Sequence, residues 1–95
     1  MVEIKNPMKC LEVLVEDMKQ TVLETQQKYP AAVFSFDVDL EKDTSRIGHL
    51  QITYRRARAR QDTCQIYEYR LINASTIEKN ISILDGFKRI DLINL

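Results

Sequence analysis

Two segments with an apolar residue at every second position, separated by a dense run of arginines, restrict this chain more than any other feature. Between Ile47 and Ile72, Leu50, Ile52 and Tyr54 alternate with more polar residues, and Tyr67, Tyr69 and Leu71 do the same. That is the period of strands with one buried face. Arg55, Arg56, Arg58 and Arg60 fall between the two runs. With a turn near Arg60 to Thr63, the runs fold into an antiparallel hairpin whose tyrosines share one face and whose arginines mark the tip.

A third strand precedes the hairpin, from about Val33 to Leu40. Phe34, Phe36, Val38 and Leu40 alternate there with Ser35, Asp37 and Asp39. For the apolar sets to share a face, Phe36 pairs with Ile52 and Phe34 with Tyr54, which sets Asp39 opposite His49. Glu41 to Arg46 is polar and forms the connection. At the N-terminal side, Val2 and Ile4 alternate with charged residues, as in a short edge strand or an ordered tail.

Asn6 followed by Pro7 is a helix start, since Asn caps free amides and Pro suits the first helical position. Met8, Leu11, Val15, Met18, Val22 and Thr25 then recur at three-and-four spacing, with Leu14 beside the stripe and Tyr29 continuing it. Pro30 ends the helix near Gln27 to Tyr29. A helix of about 21 residues spans about 31 Å, long enough to cover a sheet. Glu12, Glu16, Lys19, Gln20, Glu24 and Gln27 form its polar face, interrupted by Val13 and Leu23, which could seat a partner helix.

Beyond the hairpin, Ser75-Thr76-Ile77-Glu78 has the spacing of a capping box, which predicts a second helix from about Thr76 to Asp85. Ile77, Ile81 and Leu84 form its buried stripe, and Gly86 closes it. Phe87 to Leu95 alternates, with apolar residues toward both sides. Such a tail forms a fourth strand or meets a second subunit. The expected architecture is α+β, one domain over residues 1–95. It is a two-layer sandwich in which an antiparallel sheet of three to four strands carries two helices on one face, in the order α-β-β-β-α.

Composition narrows the function classes. Fourteen basic and 14 acidic residues cancel, so no whole-chain field draws the protein to nucleic acid or anionic lipid. No apolar run approaches the roughly 18 residues of a membrane span, and the Met-Val-Glu-Ile-Lys start lacks a secretory leader. The expected location is the cytoplasm, where the sequons at Asn73 and Asn80 carry no meaning. Cys10 and Cys64 are read as free, mostly buried thiols, lacking the close spacing of a metal or redox pair.

Guanidinium groups bind carboxylate or phosphate in bidentate fashion and keep their charge at any cellular pH. Arg55, Arg56, Arg58 and Arg60, with Arg70 on the adjoining strand, are therefore the candidate partner-binding residues. The same residues could instead serve only to keep an exposed edge soluble. Asp37, Asp39 and His49 share the outward face of the sheet, but three such groups on an open surface lack the enclosure of a catalytic or metal site. No cofactor, metal or catalytic residue is assigned, and Gly48 and Gly86 alone cannot build a phosphate loop. The expected function is a non-enzymatic protein-binding module, a homodimer, that meets an acidic protein surface through the basic tip or the open sheet face. The alternative is a nucleic-acid-binding domain using the same arginines.

Overall fold

A computed structural model describes residues 6–40, 46–82 and 86–91. The helix α1 (Pro7–Lys28) begins as its sequence requires, with Asn6 Oδ1 accepting a 3.1 Å bond from the Lys9 amide and Pro7 in the first turn. It ends ahead of Tyr29-Pro30, where the Tyr29 amide still reaches the Thr25 carbonyl. Five strands follow: β1 (Val33–Val38), β2 (Arg46–Tyr54), β3 (Thr63–Asn73), β4 (Thr76–Ile81) and β5 (Gly86–Asp91). They form one sheet in chain order, each antiparallel to the next. Among the described residues, one helix on a five-stranded antiparallel sheet is thus the α+β architecture, in place of two helices on three to four strands.

From Thr76 to Ile81 the expected second helix is a strand, and Leu84 and Asp85 at its expected end lie outside the described residues. Ile77 and Ile81 are four apart, a spacing that satisfies a helical stripe and a period of two equally well. Thr76, Ile77 and Ile81 are β-branched and suit a pleated surface. Ser75 is also used differently from a capping box: its amide and hydroxyl both donate to Asn73 Oδ1, at 2.9 and 3.1 Å. This turn closes a tight hairpin in which Asn73 opposes Thr76. Gly86 does not close a helix either. It opens β5 opposite Ile81. The alternating C-terminal segment becomes β5, while Val2, Ile4, most of the 41–46 connection and Leu92 to Leu95 lie outside the described residues.

β1 and β2 pair two residues away from the expected register, with Phe34 opposite Ile52 and Phe36 opposite Leu50. A shift of two keeps every side chain on its face, so the layer assignment survives although the partners change. His49 therefore opposes Asp37 and not Asp39.

The helix is also rotated from the expected stripe. Cys10, Leu14 and Met18 are the buried helical residues, whereas Met8 and Val15 are 72% and 46% exposed. They meet Leu50, Ile52, Tyr69, Leu71 and Ile77 from the sheet. Leu14 and Met18 lie over Gly48, and Tyr29 stacks on Tyr54 with ring centroids 4.2 Å apart. From Leu14 to Tyr29 the helix advances about 22 Å, and from Gly48 to Tyr54 the strand advances about 20 Å, so α1 lies lengthwise along β2.

Gly48 is what allows this approach. A Cβ there would sit 2.9 Å from Met18 Cε and 3.1 Å from Leu14 Cδ1. The Met18 tip can swing away, but Leu14 is fully buried and has little room to yield. Gly48→Val is expected to lower stability by about 2 kcal/mol through overpacking, and Leu14→Ala by about 3 kcal/mol through the cavity it leaves. Urea denaturation measures both. A Gly48→Val protein with an unchanged midpoint would show that the close approach does not constrain the helix.

Candidate functional site

The arginine segment forms the connection between β2 and β3. Its turn lies at Arg56 to Ala59, ahead of the expected Arg60 to Thr63, with the Ala59 amide donating to the Arg56 carbonyl at 3.1 Å. Arg55 Nε meets Asp62 Oδ1 at 2.9 Å and closes the base of the loop. Both side chains are more than half exposed, so this pair is worth a few tenths of a kcal/mol. Its effect is positional. With Arg55 engaged, Arg56, Arg58 and Arg60 stand exposed at the tip, and no side-chain bond joins them to any described residue. Arg58 has a φ of 66°, in the left-handed region where a residue with a Cβ costs about 1 kcal/mol relative to glycine.

Arg70 does not belong to this group. It lies in β3, roughly 23 Å along the strand from its start, and bonds Glu68 Oε2 at 3.3 Å on the open face. Next to the tip, instead, is an open hollow of about 570 Å³. Tyr29, Pro30, Ala32, Val33, Tyr54 and Ala57 line it, with Lys28 and Arg55 among the charged groups at its rim. The hollow combines an apolar floor with a rim that carries Lys28 and the Arg55–Asp62 pair, an arrangement legible only once the end of α1 and the start of β1 are brought beside the hairpin.

A second polar cluster lies under the helix and was not legible in the sequence as a site. Lys79 of β4 is 7% exposed, and its ammonium meets Asp17 Oδ2 at 2.8 Å and Thr21 Oγ1 at 3.2 Å. The Tyr69 hydroxyl donates to the same Asp17 oxygen at 2.6 Å. The ammonium also lies 4.8 Å from the centre of the Tyr67 ring, within the range of cation–π attraction. Gln65 Nε2 donates to the Tyr67 hydroxyl, and the Tyr54 hydroxyl contacts Gln65 Oε1 at 3.5 Å. The signal was a lysine between Ile77 and Ile81 at period two, hidden when that stretch is read as a helix.

This cluster ties α1 to β3 and β4. Burial, together with the hydrogen bond to the Asp17 carboxylate and its charge, pushes the Tyr69 phenol far above its ordinary value. Burial first, and then Tyr54, raises Tyr67 as well. Neither phenol supplies a phenolate at neutral pH.

The open face holds His49 between Asp37 of β1 and Glu68 of β3. Its Nδ1 is buried without a hydrogen-bond partner. Among the described residues no group of three or more His, Cys, Asp or Glu is placed to hold a metal ion. Cys10 is buried on the inner face of α1 and its thiol is pushed up by burial, while Cys64 is exposed, contrary to the expectation of two mostly buried thiols. No described helix is long and apolar enough to cross a membrane. Val13, expected on the solvent side, instead lines a hollow of about 540 Å³ against Lys88 and Ile90 of β5, whereas Leu23 is 44% exposed. Comparison with models of protein families, with curated proteins and with solved structures finds no match to this chain.

Removing one partner of a desolvated pair leaves the other charge uncompensated, so Asp17→Ala is expected to cost about 3 kcal/mol. Asp17→Leu with Lys79→Met in one protein should cost much less, because neither ion then has to be desolvated. Equal losses in the single and double variants would show that the pair is not coupled. The phenols give a second readout. Below the ordinary tyrosine pKa of 10.0, Tyr69 is protonated in both the folded and unfolded states. Above it only the unfolded chain ionises, so stability falls by about 1.4 kcal/mol per pH unit for each fully protected phenol. Tyr69→Phe should flatten this alkaline decline in denaturation midpoints, leaving the share due to Tyr67. An unchanged slope would contradict the protection of Tyr69.

Proposed function

We propose that this chain is a non-enzymatic binding module that takes an acidic protein segment at the tip of the β2–β3 hairpin. The observation that carries the reading is the set of three exposed arginines, Arg56, Arg58 and Arg60, without acidic partners among the described residues, beside an apolar hollow. Carboxylates of the partner would take the guanidinium forks while an apolar side chain fills the floor between Tyr29 and Val33. The backbone at Arg58 adds support. A residue kept for solubility alone has no reason to occupy a left-handed position that glycine or asparagine would fill at lower cost. Arg70 contributes at most through the separate open face.

Charge distribution disfavours nucleic acid as the partner. The chain is neutral overall, so four arginines at one tip leave the remainder net acidic. A phosphate backbone passing the tip would be repelled by the rest of the surface, whereas a short acidic segment is not.

Fluorescence anisotropy tests the reading with a labelled peptide of alternating glutamate and leucine, and with a labelled duplex oligonucleotide. The peptide should bind, and changing Arg56, Arg58 and Arg60 together to Ser should abolish that binding. Tight duplex binding with a log–log salt slope near about 2.7, as expected for three phosphate contacts, would assign the arginines to nucleic acid. Retained peptide binding by the triple variant would reduce the cluster to a solubilising tip. Arg58→Asn separates fold from function: it should raise stability by roughly 0.5 kcal/mol, because Asn tolerates the left-handed region, while weakening peptide binding.

A further inference from the structure

We infer that the free edge of β1 recognises a second copy of this chain, with two β1 strands pairing antiparallel about a two-fold axis that sets Phe36 opposite Phe36. The sheet would then run unbroken through both copies, with both helices on the same face. This goes beyond the binding of a partner at the hairpin tip and does not depend on it.

The backbone supplies the first argument. The Asp39 amide bonds the Ile47 carbonyl at 2.9 Å, in the same register that pairs β1 with β2. In an antiparallel ladder, alternate residues direct both backbone groups to the same neighbour. Val33, Ser35 and Asp37 therefore turn toward β2, while Phe34, Phe36 and Val38 present amide and carbonyl to the outer edge, where no described strand receives them.

Register supplies the second. With Phe36 opposite Phe36, Phe34 faces Val38 of the second copy, and all of these outward-turned backbone groups are paired. Ser35 then faces Asp37, so its hydroxyl can donate to the carboxylate, and no like charges within the strand stand opposite each other. The strand is complementary to itself.

Side-chain exposure supplies the third. Phe36 shares the helix-covered face with its partner Leu50, yet it is 69% exposed while Leu50 is fully buried. Cys10, Leu14 and Met18 face the sheet and Val13 and Asp17 turn toward β4 and β5, so helical geometry directs Leu11, Val15 and Val22 toward the β1 side. A second copy would close an apolar trench between the two helices, over the paired Phe36 rings. The other edge is treated differently: β5 carries exposed Lys88 and Arg89, the charges that discourage edge pairing, whereas β1 has neither lysine nor arginine.

Sedimentation equilibrium on the full chain carrying Cys64→Ser should show a dimer. Phe36→Lys should make it monomeric, and Val33→Lys should leave it dimeric, because Val33 lies on the open face and turns its backbone toward β2. Register is tested by oxidation. A Ser35→Cys chain mixed with an Asp37→Cys chain should form a disulfide-linked heterodimer, since directly opposed residues outside the hydrogen-bonded pairs bring Cα atoms to about 4.5 Å. Either chain alone should cross-link poorly. A monomeric parent chain, a dimer that survives Phe36→Lys, or cross-linking as strong in the separate chains as in the mixture would overturn the proposal.

Discussion

The ion pair between Asp17 and Lys79 ties α1 to the sheet, and the setting of the helix follows from it. Both charges are largely withdrawn from water, with side chains 18% and 9% exposed, and each is tolerable there only because of the other. Tyr69 binds the same carboxylate oxygen and Thr21 the same ammonium, so the cluster fixes the position of the helix along its axis as well as its rotation. The gain lies more in uniqueness than in net stability, since a buried pair roughly offsets its own desolvation. An apolar stripe alone is permissive. Met8, Leu11, Val15 and Met18 would make a serviceable buried face, but that rotation carries Asp17 away from Lys79 and strands both ions.

This accounts for which parts of the structure were legible in the sequence. The start and end of α1 were readable because Asn6, Pro7 and Pro30 act through local sterics and hydrogen bonds. Strands β1, β2 and β3 were readable because their alternation is long enough to exclude a helical period. Where the competing readings share a number, the sequence is silent. Ile77 and Ile81 fit both periods, and only the pairing of Leu71 with Ile77 and Tyr67 with Ile81 decides for a strand. The rotation of the helix and the identity of the polar cluster share one cause of illegibility, because each depends on a contact between residues more than fifty positions apart. The arginines could be found from the sequence, but the hollow beside them could not, being built from the end of α1, the start of β1 and the hairpin base.

Gly48 and Arg58 show opposite uses of the backbone. At Gly48 the missing side chain lets Leu14 and Met18 descend onto β2, so the core gains contacts that any other residue would prevent. At Arg58 a long side chain is kept where glycine would be easier. A departure from local preference that benefits packing needs no further account, whereas the one at Arg58 serves no side-chain bond among the described residues and is accounted for only by the proposed binding role. The tip carries both unpaired charge and backbone strain, and neither contributes to holding the helix on the sheet.

If β1 pairs with itself, the geometry of the sheet determines how the tips are presented. Leu50 lies beside the two-fold axis at Phe36, and β2 runs from there to Tyr54 and on into the arginine turn. Four strand residues and the projecting loop carry each tip some 20 Å or more from the axis, in opposite directions, so the two tips stand roughly 45 Å apart. One short acidic segment cannot reach both. Such a dimer engages two separate segments, or two sites on one long partner, and in the second case the linkage raises apparent affinity without any new contact. The same antiparallel arrangement keeps the two clusters of arginine beyond a Debye length of about 8 Å at physiological salt, so their mutual repulsion does not oppose assembly. Edge pairing and tip charge are compatible because the hairpin directs its arginines along the strands, away from the edge that joins the copies.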